Sequence, residues 1–205
     1  MTNTFTVDQD LFKQSFPPIH VTTVDERAIE RETLLTFLHT DPSEGTIGVS
    51  AIYGQRCAIT SIAFSTLTSA LVVQFSKLRA WRAWKLVKEC ILINPRYTKY
   101  AFKMDTFALS LFTDASQRIS NAVDLLSLKL TDNRHSFGTL MEVMGGEPKL
   151  HREKVKTLFF KDARGMTPSD VATQAWSACL VAIMNDTTSI SRINTLKLTR
   201  KARFL

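Results

Sequence analysis

The chain has 205 residues, 44% of them hydrophobic and 22% charged, ordinary values for a globular domain with one sizeable core. Seven Gly and six Pro exclude a collagen-like or low-complexity chain; no apolar run reaches the roughly 18–20 residues that cross a bilayer, and Met1–Asp10 lacks the basic-then-apolar pattern of a secretory leader. Of the net charge of +7, five units fall in the last fourteen residues, where Arg192, Lys197, Arg200, Lys201 and Arg203 stand without an acid.

Residues 1–18 read as an N-terminal arm ending at the breaker Pro17-Pro18. Its Phe5, Leu11, Phe12 and Phe16 either dock a partner or pack back on the parent domain. Ile19–Val24 is a β-branched strand, and Asp25 is placed to cap a helix with Ile29, Leu34, Leu35, Phe37 and Leu38 on its apolar face. Three strands joined by tight turns follow: Thr46–Tyr53, Cys57–Phe64 and Ala70–Phe75, an antiparallel start to a sheet. The period becomes helical from Leu78 to Ile93 and stops at Asn94-Pro95. A strand at Tyr97–Phe102, a helix at Asp105–Phe112 and an apolar stretch at Ile119–Leu130 come next. Phe137–Met144 is a helix closed by Gly145-Gly146, a basic stretch runs from Lys149 to Lys161, and Pro168 opens a last helix that reaches about Met184. Strands first, then strands alternating with helices, predict an α/β fold with a mixed sheet over residues 19–190 and a basic tail over 191–205.

Cys57, Cys90 and Cys179 are far apart, with no ligand spacing to one another or to His20, His39, His135 or His151. Cys57 and Cys179 lie in apolar runs and read as buried. Free thiols without a leader suit a reducing compartment, nucleus or cytoplasm. No phosphate-binding glycine loop, nucleophile elbow or zincin pair is present.

Three segments, in order, carry a resemblance. They are Ile47-Gly48-Val49-Ser50-Ala51-Ile52; Asn94-Pro95 with Lys99 and Asp105-Thr106-Phe107-Ala108-Leu109; and Met166-Thr167-Pro168 running to Trp176-Ser177-Ala178. Together they resemble the DEDD-type 3′–5′ exonuclease domain of the RNase D and Werner kind, a group with the RNase H-like fold. Val123-Asp124-Leu125 and Ser136–Leu140 fall where that family has a strand-end Asp and a further helix. The likeness covers roughly residues 19–186.

The resemblance implies four carboxylates holding two divalent metals, because paired cations repel and need several hard anionic oxygens. Carried over one by one, the two first-strand acids fall on Ser50 and Ile52, the middle-helix acid on Asp105, and the last-helix acid on Ser177. The tyrosine that orients water falls on Thr173. Only Asp105 keeps its carboxylate, and as a helix N-terminal acid it has a structural reading as well. A shifted register would put the acid pair at Asp8/Asp10 or Asp25/Glu26, where no strand holds them. The expectation is a pseudo-exonuclease with no metal and no cofactor.

Two functions remain open to such a domain, and a third reading, an active metal-dependent 3′–5′ exonuclease, rests on fold analogy alone and is opposed by the residues. One is binding single-stranded RNA or DNA through Lys77, Arg79, Arg82, Lys85 and Lys88 around Trp81 and Trp84, together with the basic tail. Against it, tryptophans at i, i+3 are more often core-facing, and a basic tail can be merely solvated. The other is a protein-interaction or dimerisation module without nucleic-acid affinity.

Overall fold

A computed structural model describes residues 2–39, 45–76, 81–129 and 133–201, with Trp81 and residues 186–201 described in their backbone only. Among these residues, seven strands form one mixed sheet: β1 (Thr2–Val7), β2 (Ile19–Asp25), β3 (Thr46–Tyr53), β4 (Ile59–Ser65), β5 (Ser69–Gln74), β6 (Thr98–Ala101) and β7 (Ala122–Asp124). Their spatial order is β1-β2-β5-β4-β3-β6-β7. The β3-β4-β5 meander is antiparallel, as its tight turns require, whereas β2 joins β5, and β6 joins β3 and β7, in parallel.

Among the described residues, six α-helices cover both faces: α1 (Arg31–His39), α2 (Trp81–Val87), α3 (Met104–Ala115), α4 (Phe137–Val143), α5 (Arg152–Phe159) and α6 (Pro168–Lys201). The period-2 pattern of β3 divides its residues between two cores. Ile47, Val49 and Ala51 pack with α1, α2 and α3, while Ile52 packs with α4, α5 and α6. Gly48 lies on the α6 side, where that helix crosses the strand so closely that a Cβ would stand 1.8 Å from the Ala175 carbonyl oxygen. This α/β architecture with a mixed sheet and an antiparallel three-strand start is the expected RNase H-like one.

Several expectations are corrected. Asp25 ends β2 and closes a turn, accepting from the Arg27 amide at 2.9 Å, and α1 begins only at Arg31. Cys57 is exposed at the β3–β4 connection, with φ of 60° beside Arg56 at 56°; the tight reversal lifts it out of the apolar run. Cys179 is buried as read. Helix α6 continues to Lys201, well past Met184, for no Gly or Pro interrupts the chain after Pro168. The basic stretch at 149–161 contains a helix of its own, α5, whose Val155 and Leu158 are buried.

Within the first eighteen residues, β1 pairs antiparallel with β2 over six residue pairs. Leu11 and Phe12 are buried, and Phe12 and Phe16 meet the Trp176 ring edge-on at 5.9 and 5.4 Å. The aromatics of this segment thus pack back on the parent domain.

Lys99 on β6 is fully buried, its Nζ donating to the carbonyls of Asn94 (3.1 Å) and Tyr97 (2.8 Å). The ammonium closes the loop that ends the α2 region. Burial pulls its pKa down to about 8 from 10.5. Over that interval the unfolded chain holds more protons, so Lys99 makes stability rise with pH between these values. Lys99→Met should abolish that rise and take the ammonium donor from the Tyr97 carbonyl, while the Asn94 carbonyl keeps only the long bond from the Tyr97 amide at 3.4 Å, at a cost of about 1–3 kcal/mol at neutral pH. Urea unfolding of both proteins from pH 7 to 10.5 measures the difference.

Candidate functional site

The positions that the resemblance equates with metal ligands lie where β3 passes under α6. Ser50 is on the α6 side of the strand, and its hydroxyl donates to Oε1 of Gln174 at 2.7 Å. Gln174 in turn donates to the Leu158 carbonyl at 2.9 Å, which ties β3, α6 and α5 together. Ile52, two residues on, is a core side chain. Ser177 is fully buried and donates back to the carbonyls of Thr173 and Gln174, both at 2.9 Å. Thr173 is likewise buried and donates to the Ser169 carbonyl at 2.8 Å. Each hydroxyl is consumed within the protein by the backbone or by a neutral amide.

Asp105 lies on the exposed first turn of α3. Its Oδ2 meets Arg134 Nη2 at 2.5 Å and His135 Nε2 at 3.5 Å, so a guanidinium occupies the place of its counter-ion. The other arm of Arg134 lies 3.7 Å from Asp124. Asp124 ends β7 and caps the following turn, accepting from the Leu126 amide at 3.0 Å.

Burial pushes the Asp124 carboxyl above its usual range, against the Leu126 hydrogen bond and the Arg134 charge. A raised folded pKa means that the native state takes up a proton first, so Asp124 penalises the fold at neutral pH and the penalty fades as pH falls. Asp124→Asn keeps the acceptor toward Leu126. It should raise the unfolding midpoint at neutral pH and lose that advantage in acid; a lower midpoint at neutral pH would contradict this. Nearby, burial holds the Tyr53 hydroxyl far above its ordinary range, with Cys57 and Asp105 adding to the effect, so it is a neutral phenol.

These residues do not suit a pair of divalent metals. One exposed carboxylate is neutralised by arginine, two serines are spent internally, and isoleucine offers no donor. Among the described residues, no group of three or more His, Cys, Asp or Glu is placed to hold a metal ion. Between the C-terminal ends of β3 and β6 and helices α4 and α6 lies instead a cavity of about 200 Å³. It includes Ser50 and Gln174 but none of Ile52, Asp105, Thr173 or Ser177.

The basic candidates are divided. Arg82 and Lys85 are exposed on α2, and Lys88 is half-buried just beyond it. Trp84 is buried and stacks on Phe75 with centroids 4.3 Å apart, which removes it as a platform for bases. Lys77, Arg79 and Arg203 lie outside the described residues, as do the side chains of Trp81, Arg192, Lys197, Arg200 and Lys201. Sequence reasoning missed Gln174 and Arg134. The available signals were weak: Gln174 adjoins Thr173, and Arg134 falls just before the Ser136 cap of α4.

Comparison with solved structures places the fold. The chain is similar to Escherichia coli RNase D, an exoribonuclease involved in structured RNA processing, at 15% identity and a TM-score of 0.50, covering 77% of this chain and 44% of that one. It is also similar to Trypanosoma brucei RNase D, solved as a complex with GMP, at 11% identity and a TM-score of 0.51, covering 80% and 56%. This chain therefore spans about half the length of these proteins. No protein-family model matches the sequence, and no curated protein does. The likeness establishes an exonuclease-like RNase H fold.

Proposed function

We propose that this protein is a non-catalytic exonuclease-like domain that binds single-stranded nucleic acid, RNA by preference, as a component of an RNA- or DNA-handling complex. The observation that carries the loss of catalysis is the Ser50–Gln174 hydrogen bond, with Ser177 turned back on its own helix. Where two cations would need anionic oxygens, the chain has built a neutral, internally satisfied floor. Without metals, phosphates must be met by Lys and Arg directly. The exposed Arg82 and Lys85 on α2, with Lys77, Arg79 and Lys88 near them in the sequence, supply one such set of cations; the 191–205 tail, carrying Arg192, Lys197, Arg200, Lys201 and Arg203, supplies the other.

A protein-docking role is the second reading. It is favoured by Leu109 and Phe112, one turn apart on α3 and 64% and 57% exposed. Fluorescence anisotropy with a labelled single-stranded RNA separates the two. Binding should weaken steeply with salt, and replacing the five tail cations by Gln should flatten the salt slope by up to about 3.5, at about 0.7 per phosphate contact. No affinity at low salt, with a dimer or bound protein instead, would favour docking. Shortening of the RNA 3′ end in Mg²⁺ or Mn²⁺ would overturn both readings.

A further inference from the structure

We propose that the cavity beside the lost metal centre is a binding site for a small organic anion with a single flat apolar ring, carrying one carboxylate or phosphate group. This rests on the reading of the site as metal-free, for two bound dications would set its charge themselves. The walls are apolar and aromatic, formed by Phe102, Phe107, Leu140, Phe159, Phe160 and Met166, and Phe102 meets Phe159 edge-on at 5.1 Å. A dry cavity of about 150 Å³ lined by such side chains accepts benzene. The roughly 200 Å³ here therefore suits one ring with a substituent.

Charge selects the substituent. Among the described residues, no carboxylate lines the cavity, whereas Lys103, His135 and Lys161 do. Lys161 is held by Asp170 at 2.7 Å, and His135 faces Asp105 at 3.5 Å. Among the described residues, no carboxylate comes within ion-pair distance of the exposed Lys103, whose Nζ stands 5.8 Å from the ring centroid of Phe160, itself half exposed. An acidic group on the ligand would meet Lys103 there while its ring displaces water from the aromatic walls. The Ser50–Gln174 pair beneath is neutral and repels neither.

Fluorine NMR on the full chain, in chelator and without metal, tests this with 4-fluorobenzoate, 4-fluorophenyl phosphate and the neutral 4-fluorobenzyl alcohol. One or both anions should bind in the millimolar range or tighter, and the arm that binds identifies the head group. Lys103→Met should weaken binding at least about tenfold, as expected for loss of the principal charge partner. Ala163→Phe, which projects a ring into the cavity from an edge turn, should abolish it while the unfolding midpoint confirms a folded protein. The proposal is overturned if the alcohol binds as well as the anions, if Lys103→Met leaves affinity unchanged, or if the folded protein binds none of the three. Because metal and RNA are absent, such a failure is independent of the RNA assays above.

Discussion

Gly48→Ala is expected to unfold the protein or to cost about 4 kcal/mol or more, the range reserved for severe clashes in a packed core. The added Cβ would lie 1.8 Å from the Ala175 carbonyl oxygen and 2.6 Å from the Cys179 amide nitrogen. Both are backbone atoms of α6, so no side-chain rotation relieves the overlap. The helix would have to lift off β3, and with it would go the packing of Trp176, Ala175 and Val171 on the sheet. Gly138 provides the control. Gly138 lies within α4, and among the described residues a Cβ there meets only the hydroxyl oxygen of the Ser136 cap at an ordinary 3.7 Å, so Gly138→Ala should be neutral or stabilising by up to about 1 kcal/mol. Denaturant unfolding of the two variants should diverge sharply. A well-folded Gly48→Ala protein would mean that α6 does not lie on β3 as described.

Ser177→Asp should be nearly as damaging, and for an electrostatic reason. The Ser177 side chain is fully buried and donates to two carbonyl oxygens. A carboxylate put there faces acceptors and has no donor to replace water, so at neutral pH the loss should be about 3 kcal/mol or more. Burial would raise its folded pKa above the unfolded value of about 3.9. The penalty is then full above the folded pKa and disappears as pH falls below the unfolded one, so the variant should regain stability in acid. Adding Ser50→Asp restores a second position equated with a metal ligand. Mn²⁺ is nonetheless expected to leave the midpoint of the double variant unchanged, since Ile52 supplies nothing and Asp105 is held by Arg134. A clear rise in that midpoint with Mn²⁺ would show that the restored acids converge on a cation and would overturn the account of the site.

Where strand or helix periodicity was strong, local pattern and observed structure coincide. β3 spans Thr46–Tyr53 as read from its β-rich run, and α4 stops at Val143, just before Gly145-Gly146, whose φ values of 112° and 84° explain why glycines stand there. Pattern failed where a residue's role depends on what crosses it. Cys57 sits in an apolar run yet is exposed, because the chain reverses at Arg56 and Cys57. Asp25 has the chemistry of a helix cap, but the turn after β2 claims it first. Trp84 could have served a base or the core, and the Phe75 ring stacked against it decides for the core.

The candidate site divides in the same way. Residue types alone determined that too few acids exist at the matched positions, since no folding can turn Ser50, Ile52 or Ser177 into a carboxylate. They also determined the excess of cations and the order of the strands and helices from β2 to β6, because charge and hydrophobic period belong to the chain itself, whereas β1, β7 and α5 were not legible in the pattern. Only the tertiary structure decided that Ser50 would spend its hydroxyl on Gln174, 124 residues away, and that Arg134, 29 residues from Asp105, would pair with its carboxylate. Such partners are chosen by helix crossings and loop paths. Burial then forces every polar atom to find a donor or acceptor among whatever those crossings bring near.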